Sequence, residues 1–184
     1  MAVNNNDHEI LRLLKSPGAG PEKAFRLLLE TYRERVYWLI RRTLIVHADA
    51  DDVAQEVFVR VWKALPSFRG DSAMFTWIYR ITANEINRFL KRKRLQVFLP
   101  WSDASERIVA SLADDRFFSG TEVERLLLKA IATLPDKQRL VFTMRYFDEL
   151  SYEEISQIVG TSEGALKASY HHAMKKIEKF VKQD

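Results

Sequence analysis

Residues 76 to 91, TWIYRITANEINRFLK, combine three kinds of side chain that nucleic-acid chemistry uses together. Projected at roughly 100° per residue, Thr76, Trp77, Arg80, Asn84, Asn87, Arg88 and Lys91 gather on one helical face. An indole offers unstacked bases a platform worth about 1 to 3 kcal/mol each. Carboxamides reach base edges, and guanidinium and ammonium groups meet phosphate. The same pattern also describes a solvated face with Trp77 folded against a neighbouring helix. Residue types alone leave both readings open. Arg88, Lys91, Arg92, Lys93 and Arg94 then concentrate positive charge at the end of the stretch.

A second unexplained face precedes it. Val53, Ala54, Val57, Phe58, Val61, Trp62 and Leu65 recur at the steps of an amphipathic helix and form a core stripe. Asp52, Gln55, Glu56, Val59 and Lys63 fall opposite, which puts a β-branched apolar residue in the middle of a polar face. Val59 is either a partner contact or one of the lone exposed valines ordinary in proteins. His47, Asp49, Asp51 and Asp52 have metal-ligand chemistry, but no second ligand set accompanies them. Helix capping by Asp49 or Asp51 is the expected role.

The third stretch lies near the C-terminus. Ser151-Tyr152-Glu153-Glu154 has the form of a capping box, opening a short helix with Ile155, Ile158 and Val159 inward. Gly160-Thr161-Ser162 makes a turn. A longer helix follows with Leu166, Tyr170, Ala173, Ile177 and Phe180 as its stripe. Short helix, glycine turn and longer basic helix match a helix-turn-helix, though an αα-hairpin has the same outline. The outward face carries Gly164, Lys167, Ala168, His171, His172, Lys175 and Lys179, small residues leading and lysines following. Adjacent histidines on a helix point apart and do not form a ligand pair.

These stretches need long helices to position them, and the composition supplies them. The 184 residues are 47% hydrophobic and 29% charged, with six Gly and five Pro, an ordinary soluble composition. With no cysteine, disulfides, thiolate zinc sites and a cysteine nucleophile are excluded. No phosphate-binding glycine loop or metal-ligand spacing supports an enzyme, so no catalytic residue, metal or cofactor is expected. MAVNNNDHEI lacks the blocks of a signal peptide and no apolar run approaches a membrane span, which predicts a cytoplasmic protein.

The predicted fold class is all-α, with two small helical domains joined by a flexible linker. A flexible N-terminal segment occupies residues 1–21, despite a short helical pattern at Ile10, Leu11, Leu13 and Leu14. The first domain spans 22–95 and opens on a long packing helix with Phe25, Leu28, Leu29, Tyr32, Val36, Leu39 and Ile40 inward. Pro66 ends the next helix, and Asp71 or Ser72 is placed to cap the one after it. Residues 96–120 read as the linker, longer than compact connections usually are. The second domain spans 121–184. It begins with the stripe Val123, Leu126, Leu127, Ala130, Ile131 and Leu134, and Pro135 suits the first turn of the following helix.

Taken together, DDVAQEVFVRVWKAL, SFRGDSAMFTWIYRITANEINRFLKRKR and LPDKQRLVFTMRYFDELSYEEISQIVGTSEGALKASYHHAMKKI resemble the extracytoplasmic-function group of the sigma-70 family. The resemblance covers about residues 22 to 95 and 121 to 180, in the family's order. It implies a bacterial initiation factor that binds core RNA polymerase, through the β′ clamp helices and the β subunit, and directs it to promoter DNA. By that resemblance Asp52, Gln55, Glu56 and Val59 dock on the clamp helices. Thr76, Trp77, Arg80, Asn84, Arg88 and Lys91 read and melt the minus-ten element, Asn84 near a flipped non-template base. The final helix reads the minus-thirty-five duplex through Ser162, Glu163, Gly164, Lys167, Ala168, His171 and Lys175. Many members carry Arg where Ser169 and His172 stand here. An anti-sigma factor holds many relatives inactive, which makes one a candidate partner. The competing expectation is a stand-alone helix-turn-helix repressor, which would leave the Trp77 and Val59 faces idle.

Overall fold

The structure is a computed structural model that describes residues 5–96 and 121–183, and these are helical throughout apart from turns. Four α-helices precede the undescribed segment: α1 (Asn5–Leu14), α2 (Gly20–Leu44), α3 (His47–Ala64) and α4 (Met74–Gln96), with a 3₁₀ turn at Leu65–Ser67. Four follow it: α5 (Glu122–Ala132), α6 (Asp136–Tyr146), α7 (Tyr152–Val159) and α8 (Glu163–Val181). The expected linker lies outside the described residues except for Gln96, which ends α4.

Helix α2 is the hub, packing against α1, α3, α4 and α6. Pro21 occupies its first turn, where a missing N–H costs nothing. No Pro or Gly interrupts it afterwards. Ala24, Leu28, Tyr32, Val36, Leu39 and Ile40 are buried along one stripe, the side to which α3 and α4 bring Val53, Val57, Val61, Ile78 and Ile86. The capping box at α7 forms as expected. Ser151 Oγ accepts from the Glu154 N–H, and Glu154 accepts from the Ser151 N–H at 2.8 Å. Gly160 then ends α7 in the left-handed region at φ 67°, a conformation a side chain would strain.

The two helical groups share their core. Leu140, Met144, Leu150, Ile155, Ile158 and Leu166 join the cluster built on α2 to α4. Ile45 makes the reverse crossing, packing with Ala130, Ile131, Leu134 and Phe142. It stands at φ 71° just past α2, an uncommon state for a β-branched residue. Full burial of its side chain returns about 1.5 to 3 kcal/mol, enough to offset strain of about 1 to 3 kcal/mol.

Several expectations are corrected. Within the segment expected to be flexible over 1–21, residues 5–14 form a docked helix. Ile10 is fully buried, and Tyr32 donates to Asp7 at 2.5 Å. Neither Asp49 nor Asp51 caps α3, which begins earlier, at His47, with no side-chain cap. Asp49 pairs with Lys93 of α4, and Asp51 lies 3.3 Å from His47. Ala73, not Asp71 or Ser72, immediately precedes α4. Pro135 precedes α6 by one residue and does not occupy its first turn. Trp62 is 40% exposed, edge-on to Phe25 at 5.0 Å; an indole is large enough to seal a rim while remaining partly wet. Val123 is exposed because α5 is buried only at its C-terminal end, Ala130 to Ala132.

Candidate polymerase and nucleic-acid interfaces

On α3 the heptad-like stripe Val53, Val57 and Val61 is spent on α2 and α4, so helical geometry turns Asp52, Gln55, Glu56, Val59 and Lys63 to solvent. Val59 is 42% exposed. Its neighbours on this face are polar or charged, the arrangement of an apolar contact within a hydrophilic rim.

The α4 face is only partly as expected. Arg80, Asn84, Asn87, Arg88 and Lys91 are exposed in a row. Thr76 is buried, a correction to its placement on the outer face. Helix α4 packs against α2, α3, α6 and α7, which leaves its first turn enclosed. Trp77 is half-buried, its ring tilted over Phe68 at 4.9 Å, so the loop beneath it provides the neighbour that helix periodicity could not show. Arg80 Nη2 donates to the Gln157 carbonyl of α7 at 2.8 Å. One guanidinium of the candidate strand-reading row is thereby tied to the helix-turn-helix.

Helix α8 presents its candidate residues openly. Ser162, Glu163, Gly164, Lys167, Ala168, His171 and Lys175 are all exposed, as are His172 and Lys179. Ser162 caps the helix by accepting from the Ala165 N–H. A Cβ added at Gly164 would meet no atom within 4 Å. Internal packing therefore does not account for the glycine. Its effect is to keep the leading edge of α8 low, where another surface can approach.

The seam between the helical groups holds residues that sequence reasoning missed. Arg139 is fully buried. It donates from Nη1 to the Thr43 carbonyl at 3.0 Å and from Nη2 to the carbonyls of Ala132 and Leu134, both at 3.1 Å. Thr43 and Ala132 lie in the last turns of α2 and α5, where carbonyls lack intrahelical partners. Their neighbours Arg41, Leu44, Ala130 and Ile131 are satisfied by backbone N–H groups. One guanidinium therefore caps the C-termini of two helices. Burial lowers its pKa to about 10, with Asp136 pulling up and Arg94 down, so it remains charged near neutral pH. Asp136, itself buried, pairs with Arg94 of α4.

A cleft of about 260 Å³ is lined by Glu34, Arg35, Trp38, Arg42, Phe147, Asp148 and Glu149. The Arg42 guanidinium stacks over Phe147 at 4.3 Å. Tyr79 donates to Asp148 at 3.1 Å. Burial pushes the Asp148 carboxyl up to about 6, against the opposite pull of Tyr79, Arg35 and Arg42. If the seam opens, the carboxyl returns to the ordinary carboxylate range. The closed arrangement thus holds a proton that the open or unfolded one has lost between about pH 4 and pH 6. Protonation favours closure, and raising pH through that window removes up to about 2 to 3 kcal/mol of it. Urea unfolding of the wild type and Asp148→Asn across this range checks the sign. Relative to the variant, the wild type should lose stability as pH rises.

Comparisons agree with this two-part arrangement. The family described as Sigma-70 region 2 matches residues 28–96, and that described as Sigma-70, region 4 matches residues 124–177. The ECF RNA polymerase sigma-E factor of Escherichia coli (strain K12) is 33% identical over 177 residues, covering 88% of each chain. The RNA polymerase sigma-H factor of Pseudomonas aeruginosa is 32% identical over 196 residues, covering 97% of this chain and 95% of that one. Among solved structures, CnrH in complex with the cytosolic domain of CnrY superposes with a TM-score of 0.68 at 20% identity, over 98% of this chain and 99% of that one. The sigma factor RpoE in complex with the anti-sigma factor NepR from Bartonella quintana gives 0.68 at 18%, over 88% and 99%. The match over 28–96 includes the helices a stand-alone repressor would leave idle, and nothing favours that alternative. Two region matches in family order, on relatives matched over most of their length, place the chain in the sigma-70 family of RNA polymerase sigma factors, within its ECF group.

Proposed function

We propose that this sigma factor divides its work among the three exposed faces. The α3 face of Asp52, Gln55, Glu56 and Val59 docks on the β′ clamp helices of core polymerase. The α4 row of Trp77, Arg80, Asn84, Arg88 and Lys91 receives the opened minus-ten strand, while Thr76 is buried at the start of the helix. The start of α8, from Ser162 to Lys175, reads the minus-thirty-five duplex. The observation that carries the α4 assignment is its exposed row of amides and cations beside a half-buried indole, the combination that single-stranded bases and phosphates require. Domain boundaries follow the same division, with residues 22–95 and 121–184 as the two working units. The protein works in the cytoplasm as a non-enzymatic initiation factor.

The Arg80 contact with Gln157 and the shared core support reading the closed arrangement as a resting state. Engagement of polymerase separates α4 from α7 and frees the row. A relative in this fold is bound by an anti-sigma factor, and a partner of that class would act here by holding the seam closed.

Energetics require the polymerase. Each stacked step costs about 1.4 kcal/mol to separate, and one aromatic platform returns roughly as much. A bubble of many base pairs exceeds what this face supplies. Permanganate footprinting is therefore expected to show reactive thymines only when core polymerase is added, on a promoter found by run-off transcription of genomic fragments. Strong opening by the free protein would overturn the proposal.

A further inference from the structure

The minus-ten helix contains one acid that its reading surface does not explain. Glu85 falls on the buried side of α4, where a carboxylate is costly unless paired. It is paired twice through one atom. Arg60 Nε of α3 lies 2.7 Å from Glu85 Oε1, and Arg88 Nη1 of α4 donates to the same oxygen at 2.9 Å. Two guanidinium groups from different helices are thus held side by side. The Glu85 side chain is only 6% exposed, while those of Arg60 and Arg88 are 44% and 49% exposed.

This geometry separates the roles of the three groups. Like charges at such spacing repel, and long exposed side chains would otherwise diverge. A buried anion between them removes the repulsion and restrains both rotamers. A guanidinium carries five N–H donors in a planar fork. Glu85 engages one nitrogen of each, so both forks keep an outward side toward solvent. The cluster carries two positive charges against one negative, and it adjoins exposed Asn84, Asn87 and Lys91. A single tetrahedral anion can accept from both forks, as phosphates do from arginine pairs.

We propose that Glu85 is a positioning residue that sets Arg60 and Arg88 as a joint seat for one backbone phosphate of the promoter strand, making Arg60 of α3 a DNA contact. This rests on the reading that α4 carries that strand. A carboxylate on the polymerase surface is the competing occupant. DNA is favoured because Glu85 draws the Arg60 guanidinium across to α4, beside Arg88 and the amide row.

The test uses full-length protein assembled with core polymerase and a fork-junction DNA from a promoter identified by run-off transcription. Binding is titrated with salt for the wild type, Arg60→Gln, Glu85→Gln, Arg88→Gln and Asn84→Ala, alongside core-polymerase affinity and thermal stability. Arg60→Gln is expected to weaken DNA binding about three- to tenfold and to lower the salt slope by about 0.7 to 1, with polymerase affinity unchanged. Glu85→Gln removes a negative charge yet is expected to weaken DNA binding; charge alone predicts tighter binding, so that result would overturn the positioning role. A wild-type salt slope in Arg60→Gln, or a loss of polymerase affinity in its place, overturns the seat. If Asn84→Ala and Arg88→Gln also leave DNA binding unchanged, the α4 reading itself fails. If they weaken it and Arg60→Gln does not, only the present inference falls.

Discussion

Arg139→Ala is expected to destabilise the protein by about 3 to 5 kcal/mol, a large fraction of the stability of an ordinary domain. Three carbonyls at 3.0 to 3.1 Å lose their donor at once, each at a cost of about 1 to 3 kcal/mol if left buried and dry. The removed side chain also leaves space inside the seam. Relaxation and entry of water reduce the sum, which is why the expected total stays below the addition of its parts. Arg139→Lys should recover only part of the loss. An ammonium is a point donor and cannot reproduce a planar fork spanning carbonyls on two helix ends. Denaturant unfolding by circular dichroism measures both variants. A loss below about 1 kcal/mol for the alanine would mean that water satisfies the helix ends unaided.

Val59→Glu is expected to leave the free protein folded and to abolish productive docking. The residue is 42% exposed, so the substitution removes little buried area, and the stability change should stay within about 0.5 kcal/mol. At a desolvated interface, by contrast, an unpaired carboxylate beside Asp52 and Glu56 loses its hydration without gaining a partner. Central contacts of this kind carry about 2 kcal/mol or more, equivalent to at least about 30-fold in affinity. Titration of labelled protein with core polymerase reads the loss, and thermal unfolding of the same samples separates it from misfolding. Unaltered affinity would remove the α3 face from the docking surface.

Several parts of this molecule were legible from residue order alone because they are local. The capping box at Ser151, the glycine turn at Gly160 and the polar faces of α3 and α8 depend on spacings of one to four residues, which periodicity reports directly. The all-helical class follows from the same signal, and the match to region-two and region-four patterns rests on contiguous motifs. Where periodicity was extended to say which side is wet, it erred where the cover over a face is set by other elements and not by the helix itself. Thr76 fails because α4 is enclosed by four helices. Trp62 fails because a large indole at the rim of the core stays partly wet beside Phe25, and Val123 because its helix is buried only at the C-terminal end.

What only the tertiary structure decided is the set of groups joined across long separations in sequence. Arg139 meets Thr43 across 96 positions, Tyr79 meets Asp148 across 69, and Arg80 meets Gln157 across 77. No short-range pattern encodes such pairings, since each side chain's partner is chosen by how α2 and α4 pack on α6 and α7. Glu85 makes the point within one helix. In sequence it is an acid interrupting an apolar face; packing supplies Arg60 from α3 and converts the interruption into a buried clamp. Local spacing determined which helices form and which faces they offer. Burial, which depends on every neighbour at once, decided which of those faces remain open and which charges they hold in place.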